Sequence, residues 1–201
     1  MDFVKTIAGR ELEYIDSDHL YLVDGVIVPS ITQMLKKKFG AKYDMVDENT
    51  LQRAAERGTA VHSAIERYCE AGEDDPAFRE LQNFKWLLRQ YKFEVLKNEI
   101  PVILFRAGKP IAAGRLDMVI QSEEGLGIAD VKRTSSLDKE YLFYQLNLYR
   151  LAYKQDYSRE IDFLRAIWLR EEKRKYVKIP VNEEMAWEFI EQYQEGINEC
   201  C

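Results

Sequence analysis

Apolar and polar positions alternate with period two in several short stretches and recur at helical spacing in longer ones. Residues 12–15 and 20–28 alternate and are broken by Asp16-Ser-Asp and by the tight-turn pair Asp24-Gly25, which predicts small antiparallel strands. Ser30 then precedes a periodic apolar run, as a helix cap does. Residues 47–71 predict a long helix with Asp47 as cap and Gly72 at its stop. Gly58 interrupts it, as a break or as a point of close backbone approach. Residues 76–93 predict an amphipathic helix with Phe78, Leu81, Phe84, Trp86, Leu87 and Tyr91 on its core face, followed by a strand over 93–105. Ser135 and Asp138 fit a capping box for a helix over 137–156, with Leu142, Leu146 and Tyr153 as its core stripe. Strands at 163–170 and 175–181, joined by the charged turn that begins at Glu171, and a helix at 182–198 complete the chain. Neither a linker nor an internal repeat is legible, so the expectation is one α+β domain over residues 1–201.

The stretch from Gly114 to Lys132 carries the chemistry. Apolar runs at 116–120 and 126–131 flank the polar, Gly-ended segment 122–125, which is a hairpin signal. In a symmetric hairpin, residues equidistant from the turn centre face each other, and Asp117 then lies opposite Asp130. Cross-strand neighbours sit ~4.5–5.5 Å apart, where like charges repel. Asp130 and Lys132 share a face and Val131 points away from it. Two carboxylates and an ammonium on a greasy sheet want a counter-ion. A hard cation such as Mg²⁺ or Mn²⁺ suits oxygen ligands; a salt-bridged hairpin accounts for the same pattern.

On the 47–71 helix, His62 and Glu66 are four apart and share a face. Such a histidine is a core residue, a surface residue or a ligand. Gln145 and Tyr149 stand in the same relation on the 137–156 helix. Arg133 and Thr134, directly after Lys132, are natural phosphate donors, and Lys36-Lys37-Lys38 is either a solvated helix end or a phosphate-contacting cluster.

Asp117, the hairpin and Asp130-x-Lys132 resemble the core of the PD-(D/E)XK nucleases, in the RecB-like branch. Four further pieces in family order carry the resemblance. Pro29-Ser30-Ile31-Thr32 is similar to a segment of phage nucleases of this type and of the mitochondrial genome maintenance exonuclease. Gly58 with His62 is similar to the helix whose histidine reaches the metal. Glu99 stands where a glutamate often leads into the hairpin, and Gln145-x-x-x-Tyr149 matches the RecB-type signature. Leu116 replaces the nominal proline, and the second acid is Asp rather than Glu. The resemblance implies a restriction-endonuclease-like core with extra β-hairpins, a central mixed sheet flanked by helices in an α/β sandwich-like arrangement. It implies one or two Mg²⁺ or Mn²⁺ ions held by Asp117, Asp130, His62 and the Val131 carbonyl. Lys132 then manages the attacking water, and Gln145 orients Lys132 or the phosphate. Glu66, Glu99 and Tyr149 stand behind these groups, and Ser30, Thr32, Lys36, Lys37, Arg133 and Thr134 contact DNA.

The implied activity is metal-dependent exonucleolytic hydrolysis of single-stranded or frayed DNA ends in phage or bacterial replication or recombination, with a replication or recombination protein as partner. A structure-specific endonuclease on the same core, or a non-cleaving DNA-binding or recruitment module with a vestigial site, are the alternatives. Composition sharpens this. The 201 residues are 46% hydrophobic and 32% charged, with a net charge of −6, which argues against a passive, non-specific duplex coat. No apolar run approaches the ~20 residues of a membrane span, and the first residues lack the apolar region of a signal peptide, so a cytoplasmic protein is expected. The three cysteines, Cys69, Cys200 and Cys201, form no disulfide framework. They also fall short of the four that hold an iron–sulfur cluster in some RecB-like nucleases, so none is expected.

Overall fold

The computed structural model describes residues 2–40 and 48–198. The fold is α+β, with two sheets and five helices among the described residues. The first sheet is an antiparallel meander of β1 (Phe3–Ile7), β2 (Arg10–Ile15), β3 (Leu20–Val23) and β4 (Val26–Val28). The sequence pattern anticipated its strands from β2 onward and did not include β1. The second sheet runs in the order β5 (Glu94–Arg106), β6 (Lys109–Ser122), β7 (Gly125–Lys132), β8 (Phe163–Leu169) and β9 (Arg174–Ile179). Only β7 and β8 pair in parallel, and α4 (Lys139–Tyr157) makes the crossover such a pair requires. β6 begins well before the predicted hairpin arm, because the turn at Ala107-Gly108, both with positive φ, lets it pair with almost all of β5.

Helices cover both faces of the larger sheet. α1 (Ile31–Phe39), α4 and α5 (Glu183–Asn198) pack against Leu116, Val119, Ile128 and Leu164. α2 (Glu48–Ala71) and α3 (Arg79–Tyr91) pack Val61, Ile65, Leu81 and Phe84 against Met118, Ile120, Ala129 and Val131. The period-two alternation of β7 therefore sends Asp130 to the α4 side and Val131 to the α2 side. α2 runs unbroken through Gly58; its predicted cap, Asp47, lies outside the described residues, and Gly72 ends it at φ +70°. On α3, Leu81, Phe84 and Leu87 are buried, but Trp86 and Tyr91 are exposed. Their rings are instead covered by the Arg174 guanidinium at 4.0 Å and by Tyr176 at 4.4 Å.

α1 starts at Ser30, the cap expected there, which forms a full capping box: its Oγ accepts from the Gln33 N–H, and Gln33 Oε1 accepts from the Ser30 N–H. α4 is capped by Asp138, which accepts from the Tyr141 N–H, so the predicted pairing with Ser135 does not form. The last turn of α4 closes the edge of the larger sheet. Asp156 accepts the Ile103 N–H, Gln155 bonds both the N–H and the carbonyl of Phe105, and the Tyr157 hydroxyl donates to Pro101. Those β5 groups would otherwise be an open pairing edge. No helix among the described residues is long and apolar enough to cross a membrane.

Candidate metal centre

The β6–β7 hairpin pairs Met118 with Ala129 and Ser122 with Gly125, the register in which Asp117 and Asp130 are the next opposed positions. Asp117 Oδ2 also accepts the Val131 N–H at 2.6 Å, which fixes that carboxylate against β7. Asp130 is 2% exposed, and neither of its oxygens accepts a well-directed hydrogen bond. Its ion-pair partner among the described residues is Lys132 Nζ, at 2.6 Å. Burial pushes the Asp130 carboxyl up to about 6 although Lys132 opposes that rise. Burial works against the Lys132 ammonium too, but Asp130 and Asp117 outweigh it and hold the amine above its ordinary value.

Glu99 arrives from β5. The register on either side of it, Asn98 with Met118 and Ile100 with Leu116, puts it opposite Asp117. It holds φ at +47°, a left-handed conformation that costs a non-glycine residue ~1–2 kcal/mol; such strain concentrates at functional sites. From α2, His62 completes the group. Its Nε2–H donates to the Val131 carbonyl at 3.0 Å, and its Nδ1 lies 3.7 Å from Asp117 and 3.8 Å from Glu99. One ligand atom each of His62, Glu99 and Asp117 falls within 4.8 Å of the others. Burial alone would discharge the imidazole, yet the Asp117 and Glu99 carboxylates overcome it and raise His62 to about 9. Glu66, one turn on, is raised by burial and then by Glu99.

This grouping shares His62 and Asp117 with the expected ligand set and adds Glu99. Glu99, expected to stand behind the ligands, joins His62 and Asp117. Asp130 is paired with Lys132, and the Val131 carbonyl accepts from His62. The donors are carboxylate oxygens and one imidazole nitrogen, a set that fits Mg²⁺ or Mn²⁺. Asp130 Oδ1, the oxygen not facing Lys132, is buried and takes no hydrogen bond from any described residue, which leaves it for a cationic partner.

The cluster opens into a cavity of about 700 Å³ walled by β2, β3, the start of α1, α2 and α4. Gln145 is 4% exposed, with its Oε1 taking no hydrogen bond from any described residue, and it borders this cavity and a second one of about 590 Å³ beside Lys132. Tyr149, buried, packs its ring on Gly114. Thr32 borders both cavities and Lys36 the second.

Ser30 lines the first cavity and Thr134 the second, and four of the expected DNA contacts have partners within the chain. Arg133, pointing away from Lys132 by strand alternation, is half-buried in an ion pair with Glu80 at 2.9 Å. Thr134 donates its hydroxyl to the Ser136 carbonyl. Lys37 is turned onto α5, 3.4 Å from the Gly196 carbonyl and over the Tyr193 ring. The Ser30 hydroxyl is spent on its cap. Sequence reasoning passed over Arg115, although it lies two residues before Asp117 on the same strand face. Its Nε contacts Glu99 at 2.6 Å, and its guanidinium lies 5.6 Å from the Tyr14 ring centre.

No family model and no curated protein matches the chain. A solved structure described as SSO0001 is similar, with a TM-score of 0.46 and 13% identity over 84% of this chain and 75% of that one. A likeness at that score carries no argument about the site.

Proposed function

We propose that the protein is a Mg²⁺- or Mn²⁺-dependent deoxyribonuclease of the PD-(D/E)XK kind, hydrolysing phosphodiester bonds at single-stranded or frayed DNA ends. The observation that supports this most is the convergence of His62, Glu99 and Asp117 within 4.8 Å, together with the buried Asp130–Lys132 pair. His62, Glu99 and Asp117 would hold the cation. Bound there, it would lower the pKa of a ligated water and neutralise charge on the phosphate.

The chain's own groups do the rest. Asp130 keeps Lys132 in one place and keeps it charged. Lys132 thereby presents an ammonium to the attacking water and to the negative charge that grows on the phosphate oxygens. Gln145, with an unfilled acceptor and an amide N–H₂ at the junction of the two cavities, supplies donors to a phosphate oxygen. Tyr149 supports Gln145 one helical turn away. Exonuclease action rests on the resemblance to RecB-like exonucleases alone.

The deciding assay is a time course on end-labelled linear and covalently closed circular DNA, single- and double-stranded, in Mg²⁺, Mn²⁺ and EDTA. The expected result is shortening of linear single strands in either metal and none in EDTA. Absence of cleavage of every substrate in both metals overturns the reading.

A further inference from the structure

The large cavity is lined by Asp16, Glu66, Glu99 and Asp117, and Arg115 is the one lysine or arginine among its described lining residues. A phosphodiester entering such a space meets a repulsive wall unless cations offset it. Arg115 is committed elsewhere, with its guanidinium on Glu99 at 2.6 Å, and is about one-third exposed. Glu99 is at once the partner of Arg115 and a member of the cluster with His62 and Asp117. Its Oε1 faces His62 and its Oε2 the guanidinium, so a cation on Oε1 would draw charge away from Oε2 and repel the neighbouring guanidinium.

We propose that Arg115 is a substrate-binding residue that takes a backbone phosphate of a single nucleic-acid strand, and that Glu99 holds it in reserve until a divalent cation claims that carboxylate. The inference rests on the nuclease reading and adds to it a coupling between metal and strand. Geometry supports the transfer. Arg115 shares a strand face with Asp117, so a released guanidinium stays beside the reacting phosphate. The Tyr14 ring lies against the guanidinium, and Tyr14 and Tyr21, 4.7 Å apart between ring centres, line the same cavity. That contact keeps the planar group oriented when the carboxylate lets go. A guanidinium fork also matches phosphate oxygens two at a time.

The test is fluorescence anisotropy of a short labelled oligodeoxythymidylate, with Ca²⁺ as a probe cation or with EDTA, on wild type, Arg115→Ala, Arg115→Lys and Glu99→Gln. Calorimetric Mn²⁺ binding is measured in parallel. Wild type is expected to bind the oligonucleotide about tenfold more tightly with Ca²⁺ than with EDTA, the scale of one charge-assisted contact. Arg115→Ala loses that gain yet still binds Mn²⁺, and Arg115→Lys recovers only part of it. Glu99→Gln binds the strand more tightly than wild type in EDTA, because its guanidinium is no longer held. An Arg115→Ala protein with the full Ca²⁺-dependent gain overturns the proposal and leaves the nuclease reading standing. A wild type that binds Mn²⁺ but no oligonucleotide in any condition, and cleaves none, overturns both.

Discussion

Lys132 Nζ stands 2.6 Å from an Asp130 carboxylate that is 2% exposed and accepts no well-directed hydrogen bond. Removing one member of such a buried pair leaves the other charge stranded, which costs about 3–5 kcal/mol. Lys132→Met should therefore lower stability by about 3 kcal/mol at neutral pH and lower cleavage by about 10²–10³-fold. Adding Asp130→Asn should restore much of the stability and none of the cleavage. Urea unfolding and single-turnover kinetics on the single and double variants separate the two effects. Full cleavage by Lys132→Met would remove the lysine from the mechanism.

A cation that binds the folded chain alone stabilises it by mass action, ~2.7 kcal/mol at a hundred times its dissociation constant. For a chain of this size that is a rise in melting temperature of about 5–10 °C. Mn²⁺ should produce that rise in wild type. It should not do so in Asp117→Asn, which also should not cleave DNA but should keep the wild-type circular dichroism spectrum. A rise of equal size in the variant would place the ion elsewhere. His62 must lose a proton to ligate, and it sits near 9 without a cation. The rise should accordingly grow as pH increases from about 6 to about 9.

The hairpin register was legible because strand alternation and the turn at Ser122 to Gly125 together leave a single way to oppose Asp117 and Asp130. His62 was legible as a face, through its spacing from Glu66. The part played by Glu99 was not. It depends on the pairing of β5 with β6, which passes through a register shift between Val95 and Lys97, and on a left-handed φ that no glycine advertises. Arg133 reads as a phosphate contact beside Lys132 only until α3 is packed, because Glu80 arrives from a distant segment. Lys37 is likewise decided by α5. Local periodicity fixes which face a residue occupies, and only the tertiary arrangement decides what waits there.

Gly114 is where β6 passes under Tyr149. A Cβ there would stand 2.9 Å from Tyr149 Cε1, closer than side chains tolerate. Gly114→Ala should push the Tyr149 ring, and with it the α4 turn that carries Gln145. The expected cost is ~1–3 kcal/mol of overpacking, together with lower cleavage at saturating substrate. Gly58→Ala is the contrast: its Cβ would meet nothing within 4 Å and lies inside a helix, so stability should rise by ~0.5–1 kcal/mol. Thermal unfolding of both variants checks the pair. An unperturbed Gly114→Ala protein would mean that Tyr149 has room to move and supports nothing.

Far from the metal centre, Asp156 accepts the Ile103 N–H at 2.6 Å, while its other oxygen is buried without a partner. Burial raises its carboxyl to about 7 from an ordinary 3.8, and the Ile103 N–H opposes that rise without cancelling it. Between those values the folded chain holds a proton that the unfolded chain has released. By linkage, this residue's contribution to stability is full below about pH 4, declines as pH rises to about 7, and is constant above that. Asp156→Asn keeps an acceptor for the Ile103 N–H and removes the titration. Urea unfolding across this range should show the wild type losing stability with rising pH relative to the variant. Parallel curves for the two proteins would show that Asp156 ionises as freely in the folded chain as in the unfolded one.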